Sequence, residues 1–249
     1  MSFSADWLAL RRPADAAARN PKVAGALATH FSKAARVRVL DLGAGTGSNM
    51  RLTSAHLPQD QSWTLVDSDA ALLSQVVDDR CVETRIADLA VDLPSLVGEE
   101  TDLVTCSALL DLCGSAWLDQ LSDLLARYRL PIYAVLSYDG TEKWEPLHPE
   151  DRAVQDAFLA DQGLDKGLGP SLGPNAHAYF AERLRQSGFS VIEGRSDWDL
   201  TPTESAELIT ALAKGTGAVA DSPTWTDARR SATRALIGHL DLFAVPPTR

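Results

Sequence analysis

The stretch Val37-Arg-Val-Leu-Asp-Leu-Gly-Ala-Gly-Thr-Gly47 decides how this chain folds. Its apolar first half predicts a buried strand over 37–42, and the residues after it predict a helix over about 48–57. Between the two lie glycines at alternate positions, Gly43, Gly45 and Gly47, which allow a sharp turn and let a ligand lie against bare peptide. The dinucleotide fingerprint G-x-G-x-x-G requires a glycine where this chain has Ser48. The spacing therefore disfavours a nicotinamide dehydrogenase.

Short apolar strands and amphipathic helices alternate along most of the chain. The other predicted strands cover 63–66, 82–87, 102–106, 132–138, 189–193 and 240–245. The other predicted helices cover 21–34, 70–79, 115–128, 150–161, 177–187, 203–214 and 224–238. Such alternation with right-handed crossovers predicts an α/β fold, in which a parallel sheet is covered by helices on both faces.

A single domain over 1–249 is predicted, because no internal repeat, low-complexity segment or linker interrupts the pattern. Three segments stand outside the sheet. We expect an N-terminal helical cap over 1–36, in which Asn20 caps the helix that begins at Pro21. The proline- and glycine-rich region 139–176 directly follows the fifth strand and is predicted to be a lid insertion. A helical excursion over 203–238 precedes the last strand.

The composition restricts the possible partners and the compartment. A net charge of −11 argues against a nucleic-acid surface, which requires clustered Lys and Arg. The three cysteines, Cys81, Cys106 and Cys113, lack C-x-x-C spacing, so we expect buried thiols rather than disulfides or a metal site. No apolar run approaches the roughly 18 residues of a membrane span, and the N-terminus lacks a signal-peptide core. We expect a cytoplasmic protein that does not bind membranes; its oligomeric state is left open.

A strand ending in Asp41 and followed by Gly43, Gly45 and Gly47 resembles the first motif of the class I S-adenosylmethionine (SAM)-dependent methyltransferases. The resemblance implies a seven-stranded, doubly wound, mostly parallel Rossmann-like sheet. Its last strand would lie antiparallel between the fifth and the sixth. The seven predicted strands and the helical excursion before the last one agree with that pattern, over roughly residues 20 to 245.

The resemblance also implies SAM as cofactor, with S-adenosylhomocysteine as product, and it implies roles for particular residues. Asp67, at the end of the second strand, would hold the ribose hydroxyls, since a carboxylate accepts two hydrogen bonds; alternatively it only forms a turn. Asp88 would accept from the adenine amine with the Leu89 backbone near the ring, or it is an unliganded loop carboxylate. Asp41 would order the glycine loop and face the methionine amino group, because a buried carboxylate needs such partners.

Ser107 ends the fourth strand at the topological switch point, where ligands of open α/β sheets bind, and should lie near the sulfonium. The chain after Ser107 lacks the Asn/Asp-Pro-Pro-Tyr and Pro-Cys signatures of the methyltransferases that act on amide or base nitrogens and on cytosine. A small-molecule acceptor is therefore expected. Whether the methyl group goes to oxygen, nitrogen or carbon is left open.

Residues that could act on the acceptor are less well marked. His148 and His177 are candidate general bases because they stand in or next to the predicted lid, although each is equally expected to be an ordinary loop hydrogen-bonder. Asp111 is a candidate substrate contact that could line the pocket or merely start the next helix, and Tyr138, Asp139 and Tyr179 are weaker candidates. The remaining histidines, His30, His56 and His239, are interpreted as structural.

Two questions stay open at the level of the sequence. One of Arg11, Arg12 and Arg19 could reach the methionine carboxylate, because arginine forks suit carboxylates. A SAM-binding regulatory protein that keeps the fold without transferring a methyl group is the alternative to a methyltransferase. No metal is predicted.

Overall fold

The computed structural model describes residues 4–77 and 81–248, and for Cys81 the backbone alone. All described strands belong to one sheet in the order β3-β2-β1-β4-β5-β8-β6, and β7 also pairs with β8. The strands are β1 Val37–Leu42, β2 Gln61–Asp67, β3 Cys81–Ile86, β4 Leu103–Ser107, β5 Ile132–Glu145, β6 Ser190–Arg195, β7 Trp198–Leu200 and β8 Arg234–Val245.

The helices precede the first strand or connect later ones; one of them, a short helix between β3 and β4, was not predicted. They are α1 Ala5–Ala18, α2 Pro21–Phe31, α3 Ser48–Thr53, α4 Ala70–Leu73, α5 Leu93–Leu96, α6 Ser115–Tyr128, α7 Asp151–Gln162, α8 Ala176–Gln186, α9 Pro202–Val219 and α10 Pro223–Arg229. Within the described ranges, none of them is both long and apolar enough to cross a membrane.

The predicted sheet is confirmed in its main features. Strands β1 to β5 run parallel to one another, and the last strand lies antiparallel between β5 and β6. The three-residue strand β7 was not predicted, because a segment this short gives almost no periodic signal. It adds an eighth strand alongside β8.

Helices bury the parallel strands from both sides. On one face α5, α6 and α8 pack against the sheet, with Leu118, Leu121 and Phe180 fully buried. On the other face α2 and α3 contribute Val23 and Met50. The start of α2 is as predicted: the Asn20 side chain accepts from the backbone N–H groups of its first turn, and Pro21 is the first helical residue. Both faces of the parallel strands are therefore apolar, as their sequence indicates.

Strand β5 is longer than predicted. It was expected to end at 138, but it pairs with β8 as far as Glu145, so residues 139–145 of the predicted insertion belong to the sheet. A bulge hides this continuation from the sequence: Tyr138 lies opposite His239, and Glu142 lies opposite Ile237. Three residues of β5, 139–141, thus lie opposite the single residue Gly238 of β8, and the two extra residues break the alternation.

The predicted helix over 224–238 is wrong in its second half. Helix α10 ends at Arg229, and β8 begins at Arg234 rather than at 240. The residues of this first part of β8 pair with both β5 and β7, and alternate members such as Ala235 and Ile237 are buried. Tertiary pairing thus overrides a local helical pattern, and the helical excursion over 203–238 ends early.

A third apolar cluster covers the antiparallel part of the sheet. Its members include Trp144, Trp198 and Trp225, packed with Leu208 and Ile209 of α9. Arg229 is buried among them, stacked near Trp144 and Trp225, and its guanidinium bonds Asp151 and the Pro146 carbonyl. This cluster fixes α9, α10 and the start of α7 onto the long strands.

Smaller departures concern helix ends and cysteines. Helix α4 covers only 70–73 of the predicted 70–79, and 78–79 lie outside the described residues. Residues 1–3 of the predicted N-terminal cap also lie outside them. Cys106 and Cys113 are buried free thiols, as expected, whereas the predicted burial of the Cys81 thiol lies outside the description.

Candidate functional site

A crevice of about 690 Å³ lies at the carboxyl ends of the first four strands. We call it the loop crevice, after the glycine loop that forms one wall. Its lining residues come from α1, from the turns after β1 to β4 and from one later loop. They include Leu8, Arg11, Gly43, Gly45, Asp67, Asp69, Asp88, Leu89, Ser107, Leu109, Lys166 and Leu168.

Six of the eight residues predicted to contact a cofactor share this crevice: Gly43, Gly45, Asp67, Asp88, Leu89 and Ser107. The other two lie behind its wall. Asp41 is completely buried beneath the loop, and Gly47 is the N-cap residue of α3. The parallel strands bring the six together because their carboxyl ends meet at one edge of the sheet.

The glycine loop requires its glycines. Gly43, Gly45 and Gly47 all have positive φ, at +66°, +53° and +76°. A Cβ on Gly45 would lie 3.0 Å from Leu8 Cδ1, so the loop and α1 approach closely at this point. A side chain on this loop would therefore be strained and would project against neighbouring groups.

Asp67 ties the loop to the next turn. One carboxylate oxygen accepts from the Gly45 N–H at 2.8 Å, and the other accepts from the Asp69 N–H at 3.0 Å. A carboxylate has about four lone-pair sites, so Asp67 keeps acceptor capacity for a ligand. The same side chain thus orders the loop and faces the crevice.

Asp41 lies under the loop in a chain of polar side chains. Its Oδ1 accepts from Asn49 Nδ2 at 2.7 Å, and Asn49 Oδ1 accepts from Arg19 at 2.9 Å. Burial raises the pKa of Asp41 to about 7, against the hydrogen bond from Asn49 and the charge of Arg19. Its Oδ2 is buried without a hydrogen-bond partner. One acceptor is therefore available directly behind the glycine loop.

Two segments that are distant in sequence close the crevice. Helix α1 contributes Leu8 and Arg11, and the loop before α8 contributes Lys166 to Leu168. Backbone bonds hold that loop in place: Gly114 donates to the Leu168 carbonyl at 3.0 Å, and Leu172 donates to the Cys113 carbonyl at 2.9 Å. Part of the predicted 139–176 insertion therefore reaches the predicted cofactor site.

A second cavity of about 370 Å³ adjoins the first, and we call it the side cavity. The two share Arg11, Ala108 and Leu112 as common wall. The rest of the side cavity is mostly apolar and aromatic, with a few polar groups. Its walls include Trp7, Asp111, Leu136, Tyr138, Glu142, Phe158, Trp198, Leu212, Ile237 and His239.

Polar atoms in the side cavity lack partners. The unpartnered buried atoms are Asp111 Oδ1, the Tyr138 hydroxyl, Trp198 Nε1 and His239 Nδ1. Buried polar atoms without partners are uncommon in folded proteins, because each costs free energy. Four of them lie on the wall of one cavity, where a ligand or ordered water has room to supply partners.

Burial also shifts the ionisation of these groups. It raises the pKa of Asp111 to about 6, against backbone hydrogen bonds and the charge of Arg11. It raises the pKa of Glu142 to about 7, although Trp144 donates to this carboxylate at 2.8 Å. It lowers the pKa of His239 to about 3, with the charge of Arg11 acting in the same direction. His239 is therefore neutral at physiological pH, whereas Asp111 and Glu142 have pKa values close to physiological pH.

The structure does not bring the two candidate bases to either cavity. His148 lies at the start of α7, where its Nδ1 accepts from the Glu150 N–H at 3.2 Å. His177 is buried on α8, with Nε2 2.9 Å from Glu193 Oε1, and burial lowers its pKa. Tyr179, a candidate substrate contact, also lies away from the cavities and donates to Asp119 on α6. Local hydrogen bonding explains all three.

The other substrate candidates and one arginine are brought together. Asp111 and Tyr138 both line the side cavity, and Arg11 lines both cavities. Its guanidinium is already engaged by Asp15 at 3.0 Å and lies over the Trp198 ring. Arg12 is exposed, and Arg19 lies behind the glycine loop. Asp139 is part of the bulge, where it accepts from the Thr141 N–H.

His239, interpreted as structural, lies outside the loop crevice but lines the side cavity, and Glu142, Trp198 and Lys166 were not predicted at all. His239 and Glu142 lie on the paired extensions of β8 and β5. The only signal in the sequence is the recurrence of large side chains over 138–144 and 235–239, which is readable as strand only once the bulge is known.

No family model and no curated relative matches the sequence. Solved structures do match its fold. YcgJ of Bacillus subtilis is 14% identical, with 92% of this chain and 100% of that chain covered and a TM-score of 0.55. The cyclopropane synthase MmaA2 of Mycobacterium tuberculosis is 12% identical, with 98% and 94% covered and a TM-score of 0.56.

A third structure was determined with ligands. It is the phosphoethanolamine N-methyltransferase 2 of Haemonchus contortus, in complex with phosphomonomethylethanolamine and S-adenosylhomocysteine. It is 16% identical, with 92% of this chain but 53% of that chain covered and a TM-score of 0.51. The chain thus spans about half the length of that protein. At these identities the likeness is one of fold.

Proposed function

We propose that this chain, which has the Rossmann-like fold of the class I SAM-dependent methyltransferases, transfers a methyl group from SAM to a small-molecule acceptor. The observation that carries the proposal is the pair of adjoining cavities at the carboxyl edge of the sheet. The first is walled by bare glycine backbone and strand-end carboxylates, and the second by aromatic side chains with unpartnered polar atoms.

The residues of the loop crevice fit the cofactor group by group. Gly43 and Gly45 leave room for a ligand against the backbone, and the spare lone pairs of Asp67 suit a vicinal diol. Asp88, exposed on the crevice wall, would accept from the adenine amine beside Leu89. Ser107, at the end of β4, would lie near the sulfonium.

Behind the loop, the unpartnered Asp41 Oδ2 offers an acceptor for the methionine amino group. It is buried now, so contact with a ligand requires a small shift of the loop or a bridging water. Among the roles proposed for residues of the loop crevice, the contact between Asp41 and the amino group depends on such a rearrangement.

Bound SAM would supply a methyl group already activated by the positive sulfur. The chain contributes position and exclusion of water, because methyl transfer is an in-line displacement that depends mainly on geometry. The shared wall of Arg11, Ala108 and Leu112 would hold the two ligands end to end. Loop residues 163–172 are our candidate for the lid, since Lys166 to Leu168 reach the crevice. A net charge of −11 favours a small acceptor over a nucleic acid. We place the proposed enzyme in the cytoplasm.

Isothermal titration with SAM tests the proposal. Wild type should bind SAM well below millimolar concentration. Asp67→Ala should weaken binding about tenfold or more, because a hydrogen bond to a charged group contributes about 1.5–3 kcal/mol. Asp123→Ala, at an exposed ion pair on the outer face of α6, is the matched control and should bind as wild type does. Failure of wild type to bind SAM below millimolar would count decisively against the proposal.

The second candidate is a regulatory protein that binds SAM without transferring the methyl group. The observation that favours it is that both candidate bases, His148 and His177, have structural partners instead of facing a cavity. Release of S-adenosylhomocysteine on incubation with SAM and a metabolite library separates the two. A transferase releases it in an acceptor-dependent way, and a binding protein does not.

A further inference from the structure

We propose that the side cavity binds a small, largely apolar amine as its ammonium ion, with the nitrogen against Asp111. Its identification as the methyl acceptor rests on the proposed function. The binding itself is argued from the walls of the cavity alone. A volume of about 370 Å³ lies at the small end of the range of ligand pockets.

The charges on the wall favour a cation. Arg11 is paired with Asp15 at 3.0 Å, and Lys166 is paired with Asp161 at 2.7 Å. Within the part of the wall that the structure describes, Asp111 and Glu142 are the carboxylates without such a paired cation. Both are held in a mostly apolar space. An anion there would be repelled, whereas a cation would pair with a carboxylate that a neutral alcohol cannot neutralise.

The aromatic walls favour the same ligand. Trp7, Tyr138, Phe158 and Trp198 all line the cavity. Aromatic faces attract ammonium groups, most strongly where water is excluded, and the same rings pack against an apolar body. The Arg11 guanidinium already lies 4.9 Å from the centre of the Trp198 ring, so this indole faces a cation in the free protein.

The unpartnered polar atoms indicate how the ligand is oriented in the side cavity. Asp111 Oδ1 is buried without a donor, as is His239 Nδ1, and an ammonium group brings N–H donors to both. Asp111 lies in the 3₁₀ turn Leu110–Leu112, directly beside Leu112, which belongs to the wall shared with the loop crevice. The nitrogen would therefore sit at the junction of the cavities, with the apolar body extending toward Phe158 and Leu212.

This arrangement also gives Asp111 a chemical role. The ammonium N–H proton passes to Asp111 Oδ1, and the nitrogen lone pair is left free. That lone pair forms the N–C bond as the C–S bond breaks, and the electron pair of the broken C–S bond stays on sulfur. The proton then leaves Asp111 for water. Burial suits Asp111 to hold a proton transiently.

Three probes of nearly equal shape and different charge test the inference: 2-phenylethylamine, 2-phenylethanol and 3-phenylpropanoate. Each is titrated calorimetrically into the protein, with and without saturating S-adenosylhomocysteine, at about pH 8, where the amine remains protonated. The amine should bind about tenfold or more tightly than the alcohol, and the propanoate more weakly than the alcohol.

Matched variants assign the preference to Asp111. Asp111→Asn keeps the size of the side chain and should remove the advantage of the amine over the alcohol, with S-adenosylhomocysteine affinity within about twofold of wild type. Asp123→Asn, at the exposed α6 pair, should keep the advantage in full. If Asp111→Asn does not fold, Glu142→Gln replaces it and should reduce the advantage.

The outcomes separate the two proposals. Equal binding of amine and alcohol, tighter binding of the propanoate, binding of none of the three, or an advantage that survives Asp111→Asn each overturns this inference. If S-adenosylhomocysteine fails to bind while the amine preference persists in the free protein, the proposed function falls and the amine site stands.

Discussion

The two cavities lie side by side and are built in opposite ways. The loop crevice is made where parallel strands end, and its contacts are bare glycine backbone and carboxylates on turns. The side cavity is made where antiparallel strands continue past the edge of the parallel sheet, and its contacts are buried side chains set among aromatic rings. The first therefore depends on backbone shape, and the second depends on which side chains are present.

The difference teaches where specificity resides in this molecule. Under the proposed function, backbone amides and a glycine turn would recognise a cofactor common to many proteins of this fold, and little about them can vary without loss of the turn. Side chains on β5, β8, α1 and α9 can be exchanged one at a time.

The largest effect is expected from Gly43→Val, which acts on the loop crevice alone. Gly43 has a φ of +66°, and a Cβ there would lie 3.4 Å from Leu109 Cδ1. A branched side chain strains this turn and narrows the crevice, so SAM affinity should fall on the order of 100-fold. Gly98→Val is the control, because no atom lies within 4 Å of its added Cβ. Titration with SAM measures both, and wild-type affinity in Gly43→Val would show that the loop does not touch the cofactor.

Gly238→Ala should damage the other region. Gly238 lies on β8 opposite the β5 bulge, where an added Cβ would collide with the Asp139 carboxylate and lie 2.6 Å from Thr141 Cβ. Overpacking of this kind should lower the free energy of unfolding by about 2–3 kcal/mol. SAM affinity of the folded variant should stay within about twofold of wild type, since the sites are separate.

The control for Gly238→Ala is Gly25→Ala in α2, where the added methyl group meets nothing within 4 Å. It should raise stability by about 0.5–1 kcal/mol, because alanine is the better helix former. Urea unfolding measures both. An equally stable Gly238→Ala would mean that Asp139 and Thr141 move away from the added methyl group at no cost.

Asp111→Asn should make stability less dependent on pH. Since burial raises the pKa of Asp111 from its ordinary 3.8 to about 6, the folded state holds a proton that the unfolded chain releases. The contribution of Asp111 to the free energy of unfolding is therefore fully present below about pH 4 and is lost as pH rises through about 6. The asparagine variant should exceed wild type by about 2 kcal/mol at pH 8 and match it near pH 3.

Urea unfolding at several pH values measures this difference, and Asp123→Asn serves as the exposed control with no such trend. A difference between Asp111→Asn and wild type that does not change with pH would show that Asp111 is solvated. The amine inference would then lose its main support.

Tyr138→Phe should have the smallest effect on folding. Its hydroxyl is buried and makes no hydrogen bond, so its removal should change the free energy of unfolding by less than about 1 kcal/mol, in favour of the variant. In Tyr179→Phe, by contrast, a hydroxyl that donates to Asp119 is lost at the surface. That variant should be slightly less stable than wild type. A clear loss of stability in Tyr138→Phe would reveal a partner, such as an ordered water.

Sequence reasoning reached the loop crevice because its determinants are local. A strand, three glycines and the acidic ends of the next two strands lie within about fifty residues, and parallel topology brings them to one edge. Asp67 and Asp88 follow from that topology without knowledge of packing. The side cavity has no such local signal. Trp7, Asp111, Phe158 and His239 meet only through the fold, across most of the length of the chain.

The wrong expectations have equally physical causes. His148 and His177 stand at or near helix starts, where a polar ring serves as well for hydrogen bonding to the backbone or a neighbouring carboxylate as for catalysis. The presence of a histidine at such a position does not distinguish structural hydrogen bonding from catalysis. The β5 bulge and the register of β8 depend on pairing between residues about a hundred positions apart, and a periodic pattern within one segment does not contain that information.

Helix α1 lines both cavities and would connect the ligands proposed for them. One face of its first turns presents Trp7 and Arg11 to the side cavity, and Leu8 and Arg11 to the loop crevice. If a ligand in one cavity displaced α1, a ligand in the other would be affected, and thermodynamic reciprocity would make the two effects equal in free energy. The order in which substrates add and the inhibition pattern of the products would then both report on the position of a single helix.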